Sequence, residues 1–174
     1  MRGIKICLEE EVIYFEGKHN GDKFKVECLA ENYYRDKGYN IIREKYDILK
    51  DAKNPNDEIG KNNKTIEGFF KSLGKGKELE ILKAVNGLRG GGNSGQPDIF
   101  AYKDESDWFF AEVKSDNDKL RDDQMIIFAL LKLILGCEEN KNLKVVRVTA
   151  KQDCNREKKK TETFVVALHA TDTK

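Results

Sequence analysis

Two neighbouring apolar segments with a polar turn between them constrain this chain more than any other feature. The first covers residues 97–102, the second covers residues 108–114, and a turn rich in Asp, Glu and Ser separates them. Apolar runs bounded by turn residues are typical of β-strands, so the two segments predict a hairpin with a longer loop.

Three charged side chains stand at the ends of these predicted strands. Glu112 and Lys114 are two positions apart, so both point to one face of a strand while Val113 points to the other. Asp98 begins the first strand, and the hairpin brings its carboxylate near that of Glu112. Two carboxylates this close repel each other unless a cation lies between them. We expect the acids and the lysine to meet in a notch that water can reach.

The chemistry of this group is that of a divalent cation site. Mg²⁺ or Mn²⁺ takes oxygen ligands and accepts phosphate oxygens as further ligands, and the main-chain carbonyl of Val113 is another candidate ligand. Lys114 could orient or help deprotonate an attacking water, or it could neutralise charge on the phosphate. The pattern predicts metal-dependent hydrolysis of a phosphodiester.

A longer pattern contains the same residues. It reads Gly95-x-Pro97-Asp98, then Glu112-x-Lys114, then Asp118-x-Leu120-x-x-x-Gln124. It resembles the PD-(D/E)XK nuclease superfamily, and within it the VRR-NUC branch, over residues 24–149. The resemblance implies an α/β fold with a mixed central β-sheet flanked by helices, which is a restriction-endonuclease-like core. It also implies Mg²⁺ or Mn²⁺ as cofactor and cleavage of DNA, often of branched or flapped structures.

The resemblance assigns roles position by position. Asp98 and Glu112 are similar to the metal ligands, Lys114 to the catalytic lysine, and Gln124 to a glutamine that faces the site. One departure concerns residues 115–118, where this chain has Ser-Asp-Asn-Asp and the branch commonly has Gly-Pro or a similar small turn. The added acids bear on the substrate more than on the chemistry.

An acid on the first helix completes the metal ligands in many members of the superfamily. Glu27, Ala30, Tyr33 and Gly38 fit the pattern Glu-x-x-Ala-x-x-Tyr-x-x-x-x-Gly that carries it. Glu27 is therefore the candidate for the outer metal ligand, and Glu31, one turn later, is the alternative.

The glycine-rich segment, residues 90–95, precedes the first motif strand. Its main-chain N–H groups could approach a phosphate, or it could be a plain flexible connection. It lacks the Lys-Ser/Thr ending of a nucleotide-binding P-loop. The candidate contacts to nucleic acid in and around it are Arg89, Gly92, Asn93 and Gln96.

The other elements follow from periodicity and turn residues. Residues 22–36 predict a helix, and residues 119–135 predict the strongest helix of the chain, capped by Asp116 or Asp118 and ended by Gly136. Residues 4–8 and 12–16 predict two short strands around an acidic turn, and residues 164–169 a final strand. Residues 51–64 have the composition of a loop.

Length and charge limit the class of protein. The chain has 174 residues, which predicts one nuclease-like domain over residues 1–174 with the motifs within residues 22–150. The 32 basic and 31 acidic residues nearly cancel, so contact with nucleic acid needs a local patch or a bound cation. Four scattered cysteines and two histidines favour neither zinc nor disulfides. We find no signal peptide or membrane span, and expect a cytoplasmic location.

Two classes of function remain open. The first is a metal-dependent DNA endonuclease that selects junctions, flaps or other branched DNA, with a homodimer plausible by symmetry. The second is a non-catalytic nucleic-acid-binding or interaction module that keeps the fold. A restriction-type enzyme is a weaker alternative, since 174 residues leave little room for a domain that reads sequence.

Overall fold

The computed structural model describes residues 4–15, 23–90, 92, 94–150 and 161–166, which form a sheet with helices on both faces. The strands are β1 (Ile4–Phe15), β2 (Asn40–Arg43), β3 (Ile99–Tyr102), β4 (Trp108–Lys114), β5 (Leu143–Ala150) and β6 (Thr161–Val166). The helices are α1 (Lys23–Asp36), α2 (Glu58–Ser72), α3 (Gly76–Leu88) and α4 (Asp122–Leu135).

The strands form a mixed sheet in the order β2-β3-β4-β5-β1-β6. β5 is parallel to both β4 and β1, whereas the other neighbouring strands are antiparallel. A parallel pair needs a long crossover, and the segment that contains α4 provides it between β4 and β5. The predicted α/β fold, a mixed central sheet flanked by helices, is therefore confirmed.

The two faces of β4 are covered by different helices. Phe110 lies in a core that includes side chains of α2, α3 and α4, while Phe109 and Val113 lie in a second core with α1. Successive side chains of a strand point to opposite faces, so Glu112 and Lys114 share the face of Phe110. These two charged side chains therefore lie on the side of α4.

The beginning of the sheet differs from the prediction. β1 is one continuous strand of 12 residues, whose first half pairs with β6 and whose second half pairs with β5. Glu10 in its middle is 4% exposed and bonds to the guanidinium of Arg147 on β5. The predicted acidic turn was wrong because an acid with a buried partner does not end a strand.

The segment predicted as a loop, residues 51–64, contains the beginning of α2. Asp57 caps this helix, with Oδ1 accepting a hydrogen bond from the Gly60 main-chain N–H at 2.7 Å. Asn63 is buried, and its Oδ1 accepts a hydrogen bond from the Asp47 main-chain N–H at 2.7 Å. The loop prediction failed because these polar side chains serve as a cap and a buried hydrogen bond.

The helix after the hairpin begins later than predicted. α4 starts at Asp122, and neither Asp116 nor Asp118 caps it. Asp118 Oδ2 instead accepts hydrogen bonds from the main-chain N–H of Ser115 at 3.2 Å and from its hydroxyl at 2.7 Å, which closes the turn after β4. The helix ends as predicted before Gly136, whose φ of 65° is the left-handed conformation common at helix C-termini.

The last strand begins earlier than predicted, at Thr161, and is described as far as Val166. Residue 16 and residues 167–169, which belong to two predicted strands, lie outside the described residues. Among the helices in the described part of the chain, none has the length and apolar character to cross a lipid bilayer.

Candidate active site

The register of the hairpin places Asp98 beside Glu112. Ile99 pairs with Ala111 in the antiparallel ladder, so the next pair outward is Asp98 and Glu112. Asp98 Oδ2 accepts a hydrogen bond from the Val113 main-chain N–H at 2.8 Å. The structure thus brings the two carboxylates together at the open end of the hairpin.

The Glu112 carboxylate lies at the centre of a buried hydrogen-bond network. Its Oε1 accepts hydrogen bonds from Lys114 Nζ at 2.8 Å and from Gln124 Nε2. Lys114 Nζ also donates to Gln124 Oε1 at 3.0 Å. The other carboxylate oxygen, Glu112 Oε2, is buried and accepts no hydrogen bond from any described residue. One side of this carboxylate is therefore fixed, and the other is left for a further ligand.

The electrostatics of the site favour an added positive charge. Burial raises the pKa of Glu112 and the Asp98 carboxylate raises it further, whereas the Lys114 ammonium opposes the shift, so the pKa is about 8. Burial also raises the pKa of Tyr46 well above its ordinary value, and Asp98 and Glu112 raise it further. Burial is the largest cause of both shifts, so ionising Glu112 is unfavourable unless a further cation compensates its charge.

The donor atoms present suit a hard divalent cation. Glu112 Oε2 lacks a partner, Asp98 is only half-buried, and both donate oxygen, which Mg²⁺ and Mn²⁺ prefer. The Val113 N–H donates a hydrogen bond to Asp98. Because the N–H and the carbonyl of one strand residue point to the same edge of the strand, the Val113 carbonyl also points towards β3. Within the ranges described, no group of three or more His, Cys, Asp or Glu residues is arranged to hold a metal. A cation would therefore need main-chain and solvent oxygens as well.

Gln124 connects α4 to both charged residues of β4. The side chain is 2% exposed, its amide nitrogen donates to Glu112, and its amide oxygen accepts from Lys114. The same oxygen accepts the main-chain N–H of Arg121 at 2.9 Å. Gln124 thus fixes the orientation of the acid and the lysine relative to the start of α4.

The segment before β3 packs directly on α4. Gly95 has φ of +84° and is buried, and a Cβ there would overlap the main-chain carbonyl of Asp123 and approach Gln124 N to 2.8 Å. The Ser94 hydroxyl donates a hydrogen bond to Asp123 Oδ2. This close contact sets the distance between the strand that carries Asp98 and the helix that carries Gln124.

Gln96 has an internal role in the structure. Its Nε2 donates to the Tyr46 carbonyl at 2.6 Å, and its Oε1 accepts the Ile48 main-chain N–H at 2.9 Å. The Tyr46 hydroxyl in turn donates to the Pro97 carbonyl at 2.6 Å. These bonds hold the segment next to Asp98, and both ends of the Gln96 amide are used within the protein.

The other predicted contacts to nucleic acid lie farther along the same connection. Arg89 is exposed at the end of α3. The Gly92 carbonyl accepts a hydrogen bond from Asn86 Nδ2 at 2.8 Å, and the same nitrogen donates to the Leu49 carbonyl at 3.2 Å. Asn93 lies outside the described residues. No described contact brings Arg89 or Gly92 to the two carboxylates.

Glu27 and Glu31, the two candidate acids of α1, both approach Arg43. Arg43 Nε lies 2.7 Å from Glu31 Oε2, and its Nη1 lies 4.0 Å from Glu27 Oε2. Glu27 is 6% exposed, so its carboxylate is placed by burial as well as by charge. Arg43 is thus a described partner of both helix acids, and Glu27 remains a candidate for the outer metal ligand by resemblance.

A buried ion pair that the sequence did not predict lies beside the site. Arg147 pairs in register with Lys114 across the parallel strands, and its Nε donates to Glu10 Oε2 at 2.8 Å. Its guanidinium also donates to the carbonyls of Ser115 and, at 3.1 Å, Asp118, which closes the turn after β4. Because β1 contains four charged residues and β5 contains two, no signal in the sequence singled out this pair.

Solvent access to the site is narrower than expected. Glu112 is 0% exposed and Lys114 is 4% exposed, so the predicted water-accessible notch is wrong for these two side chains. Their contact with Gln124 explains the burial, since α4 covers that face of β4. Asp98 retains partial exposure, which leaves access from its side.

The family comparison covers the part of the chain that contains these residues. The model of the VRR-NUC domain matches residues 40–150, a range that contains Asp98, Glu112, Lys114 and Gln124. No curated protein and no solved structure shows a significant match to the chain. The matched range begins after α1, so Glu27 and Glu31 lie outside it.

Proposed function

This chain belongs to the VRR-NUC family of the PD-(D/E)XK nuclease superfamily, and from this premise we propose that it is a Mg²⁺- or Mn²⁺-dependent DNA endonuclease that selects branched DNA. Family membership supports a nuclease that acts on DNA. The metal requirement, the residues that act and the preference for junctions or flaps are the parts that we propose.

The observation that carries the proposal is the state of the Glu112 carboxylate. One oxygen is held by Lys114 and Gln124, and the other is buried, accepts no hydrogen bond from a described residue when Glu112 is ionised, and has the Asp98 carboxyl within hydrogen-bonding reach. A buried polar atom without a partner is unfavourable by about 1–3 kcal/mol, so such atoms usually have a functional reason. A cation between the two carboxylates would remove both the orphaned oxygen and the repulsion.

Each residue of the site has a distinct task in this proposal. Asp98 and Glu112, with the Val113 carbonyl, would hold the cation, which when bound supplies Lewis-acid stabilisation of phosphate charge and a more acidic water. Lys114 places its ammonium beside Glu112, where it can neutralise charge that develops on the phosphate or orient the water. Gln124 is a positioning residue, because its amide holds both Glu112 and Lys114.

The proposed preference for branched DNA is supported by the net charge of the chain and by the side from which the site is reached. Basic and acidic residues nearly cancel, with 32 and 31, so uniform attraction to duplex DNA is small. A site reached from the Asp98 side suits a strand that can bend away from a duplex, as at a flap or junction. Cleavage of both strands of a junction would need two sites, which a homodimer supplies. Light scattering at the assay concentration would show whether the protein is a homodimer.

A cleavage panel tests the proposal. Labelled flaps, junctions, nicked duplexes and single strands are incubated with Mg²⁺, with Mn²⁺ and with EDTA. We expect cut flaps or junctions only with metal, and loss of at least about 10²-fold in rate for Asp98→Asn, Glu112→Gln and Lys114→Met. Glu138→Gln, which removes an exposed acid far from the site, is the matched control. Full activity in any of the three site variants would contradict the assignment.

The burial of Glu112 and Lys114 favours one alternative, a nucleic-acid-binding module without turnover. Calorimetry separates the two functions. If the protein is the proposed enzyme, the wild type should release or absorb heat on binding Mn²⁺, and the Glu112→Gln variant should show no such heat. A module that binds DNA with unchanged affinity in EDTA and takes up no Mn²⁺ would replace the enzyme as the function.

A further inference from the structure

Arg121, the residue just before α4, lies beside the site without belonging to the residues assigned above. Its main-chain N–H donates to Gln124 Oε1 at 2.9 Å, and that oxygen also binds Lys114. The side chain is 54% exposed, so the guanidinium reaches solvent at the edge of the buried network. The charges of Glu112 and Asp98 both help to raise the pKa of Arg121, after the larger effect of its hydrogen bond to Asp123.

A single acid holds this guanidinium in the described contacts. Arg121 Nε lies 3.1 Å from Asp123 Oδ1, and Nη2 lies 3.4 Å from Asp123 Oδ2. Asp123 is itself fixed by the Ser94 hydroxyl and by the Gln124 main-chain N–H at 3.0 Å. Burial alone would raise the pKa of Asp123, but the hydrogen bonds from Arg121 and Ser94 lower this pKa to about 2. The acid therefore stays ionised.

The ion pair between Arg121 and Asp123 is easily exchanged. Both side chains are partly exposed, at 54% and 28%, and pairs of this kind contribute little to stability. Their geometry leaves the planar guanidinium free to turn towards a stronger partner. A phosphate diester offers two oxygens at the spacing of the guanidinium fork, and arginine binds such groups in a bidentate way.

We propose that Arg121 binds a backbone phosphate of the DNA next to the cleaved bond, and that Asp123 holds the guanidinium ready at the edge of the site until DNA arrives. This inference rests on the proposed function for its ligand, since the ligand class is a nucleic-acid phosphate. Asp123, which holds the guanidinium, also bonds Ser94 in the segment before β3, so the phosphate would lie on the Asp98 side of the hairpin, where the site is partly exposed.

DNA affinity measured without turnover tests the contact directly. Fluorescein-labelled flap DNA is titrated with Glu112→Gln protein in EDTA at several salt concentrations, with anisotropy as the readout. Adding Arg121→Gln should weaken binding on the order of tenfold and reduce the slope of log K against log salt by about 0.7–0.9. Arg121→Lys keeps the charge and should keep the slope while losing part of the affinity.

Arg35 provides the matched control. It is 50% exposed and pairs with one acid, Glu31, at 2.8 Å, but it lies on α1, which covers the opposite face of the sheet. Arg35→Gln removes the same charge from the same kind of ion pair and should leave both affinity and slope unchanged. If Arg121→Gln and Arg35→Gln behave alike, the proposal is overturned.

A variant of Asp123, the acid that holds Arg121, distinguishes a DNA-binding role of Arg121 from a structural one. Asp123→Asn releases the guanidinium, so it should strengthen DNA binding by more than Asp122→Asn, which removes an exposed acid from the adjacent position. A purely structural ion pair predicts the reverse, with Asp123→Asn and Arg121→Gln weakening binding together. Thermal melts of each variant verify that the fold is retained.

The two proposals fail in different ways. If the wild type cuts no DNA with any metal but Arg121→Gln still weakens binding, the proposed endonuclease function fails and the phosphate contact stands. If the wild type cuts DNA and Arg121→Gln changes neither affinity nor salt slope, the contact fails and the endonuclease stands.

Discussion

Gly95 packs against the main-chain carbonyl of Asp123 so closely that no side chain fits between the loop before β3 and the first turn of α4. Its φ of +84° is itself unfavourable for any other residue. Gly95→Ala should therefore destabilise the protein by about 1–2 kcal/mol from the backbone and a further 1–3 kcal/mol from overlap. Urea unfolding measures the total.

Gly74 separates these two effects. It has φ of +72°, but a Cβ there would meet nothing within 4 Å. Gly74→Ala should cost only the backbone part, about 1–2 kcal/mol, and leave DNA cleavage unchanged. Equal losses of stability in the two variants would show that the contact between Gly95 and Asp123 is not close in solution.

The raised pKa of Glu112 makes the metal-free protein sensitive to pH. In the unfolded chain this acid titrates near its ordinary value, whereas in the folded protein the pKa is about 8. The folded state therefore keeps a proton that the unfolded state has lost, and stability falls as pH rises from about 4.5 to about 8. Glu112→Gln removes this dependence. Urea unfolding in EDTA measures this effect. Between pH 5.5 and pH 8.5, the free energy of unfolding of the wild type should fall by at least about 1.4 kcal/mol more than that of the variant.

Metal uptake should be coupled to the same proton. A carboxyl that is protonated near neutral pH must ionise before it can bind a cation, so Mg²⁺ or Mn²⁺ should displace up to about one proton per site at pH 7. Calorimetry in two buffers of different ionisation enthalpy measures this release. Metal binding with no release of protons at pH 7 and no gain in affinity towards pH 8.5 would contradict the role of Glu112 as a ligand.

Tyr46 should position the segment that carries Asp98. Its buried hydroxyl donates to the Pro97 carbonyl at 2.6 Å, and Tyr46→Phe leaves that carbonyl without this partner. We expect a loss of about 0.5–1.5 kcal/mol in stability and a lower cleavage rate at saturating DNA. Tyr39→Phe is the control, because Tyr39 donates a 2.7 Å bond to Asp107 at the other end of the hairpin. If both variants lower the rate equally, Tyr46 has no specific role at the site.

The buried pair of Glu10 and Arg147 should be strongly coupled. Arg147→Met leaves the Glu10 carboxylate buried without this partner, and breaking such a pair costs about 3–5 kcal/mol. The double variant Glu10→Leu, Arg147→Met should recover much of this loss, because two apolar side chains pack without uncompensated charge. A double-mutant cycle by urea unfolding gives the coupling. Additive losses would mean that Arg147 stabilises the fold mainly through the turn of residues 115–118.

The hairpin residues could be predicted because their geometry is local. A separation of two residues places Glu112 and Lys114 on one face of any strand, and a turn of known length brings Asp98 opposite. The position of Gln124 came instead from resemblance, since its distance from Glu112 depends on how α4 packs on the sheet. The burial of these side chains was not foreseen for the same reason.

The features that could not be predicted depend on distant partners. Glu10 and Arg147 are 137 residues apart, and their bond exists only because β1 and β5 are parallel neighbours. The polar residues at the start of α2 looked like a loop because the role of Asn63 depends on the main chain of Asp47, 16 residues earlier. The composition of a local segment determines neither the register of the strands nor the packing of distant residues.

The split pairing of β1 has a consequence for how the molecule is made. This strand lies between β6 and β5, so its inner half lacks its parallel neighbour until residues 143–150 have left the ribosome. Until then the side chain of Ile13 in that half, which is buried in the folded protein, faces water or a chaperone. Assembly of the sheet is therefore a late and slow event, since contacts so distant along the chain close slowly. Newly made protein should be most vulnerable to aggregation through this first segment.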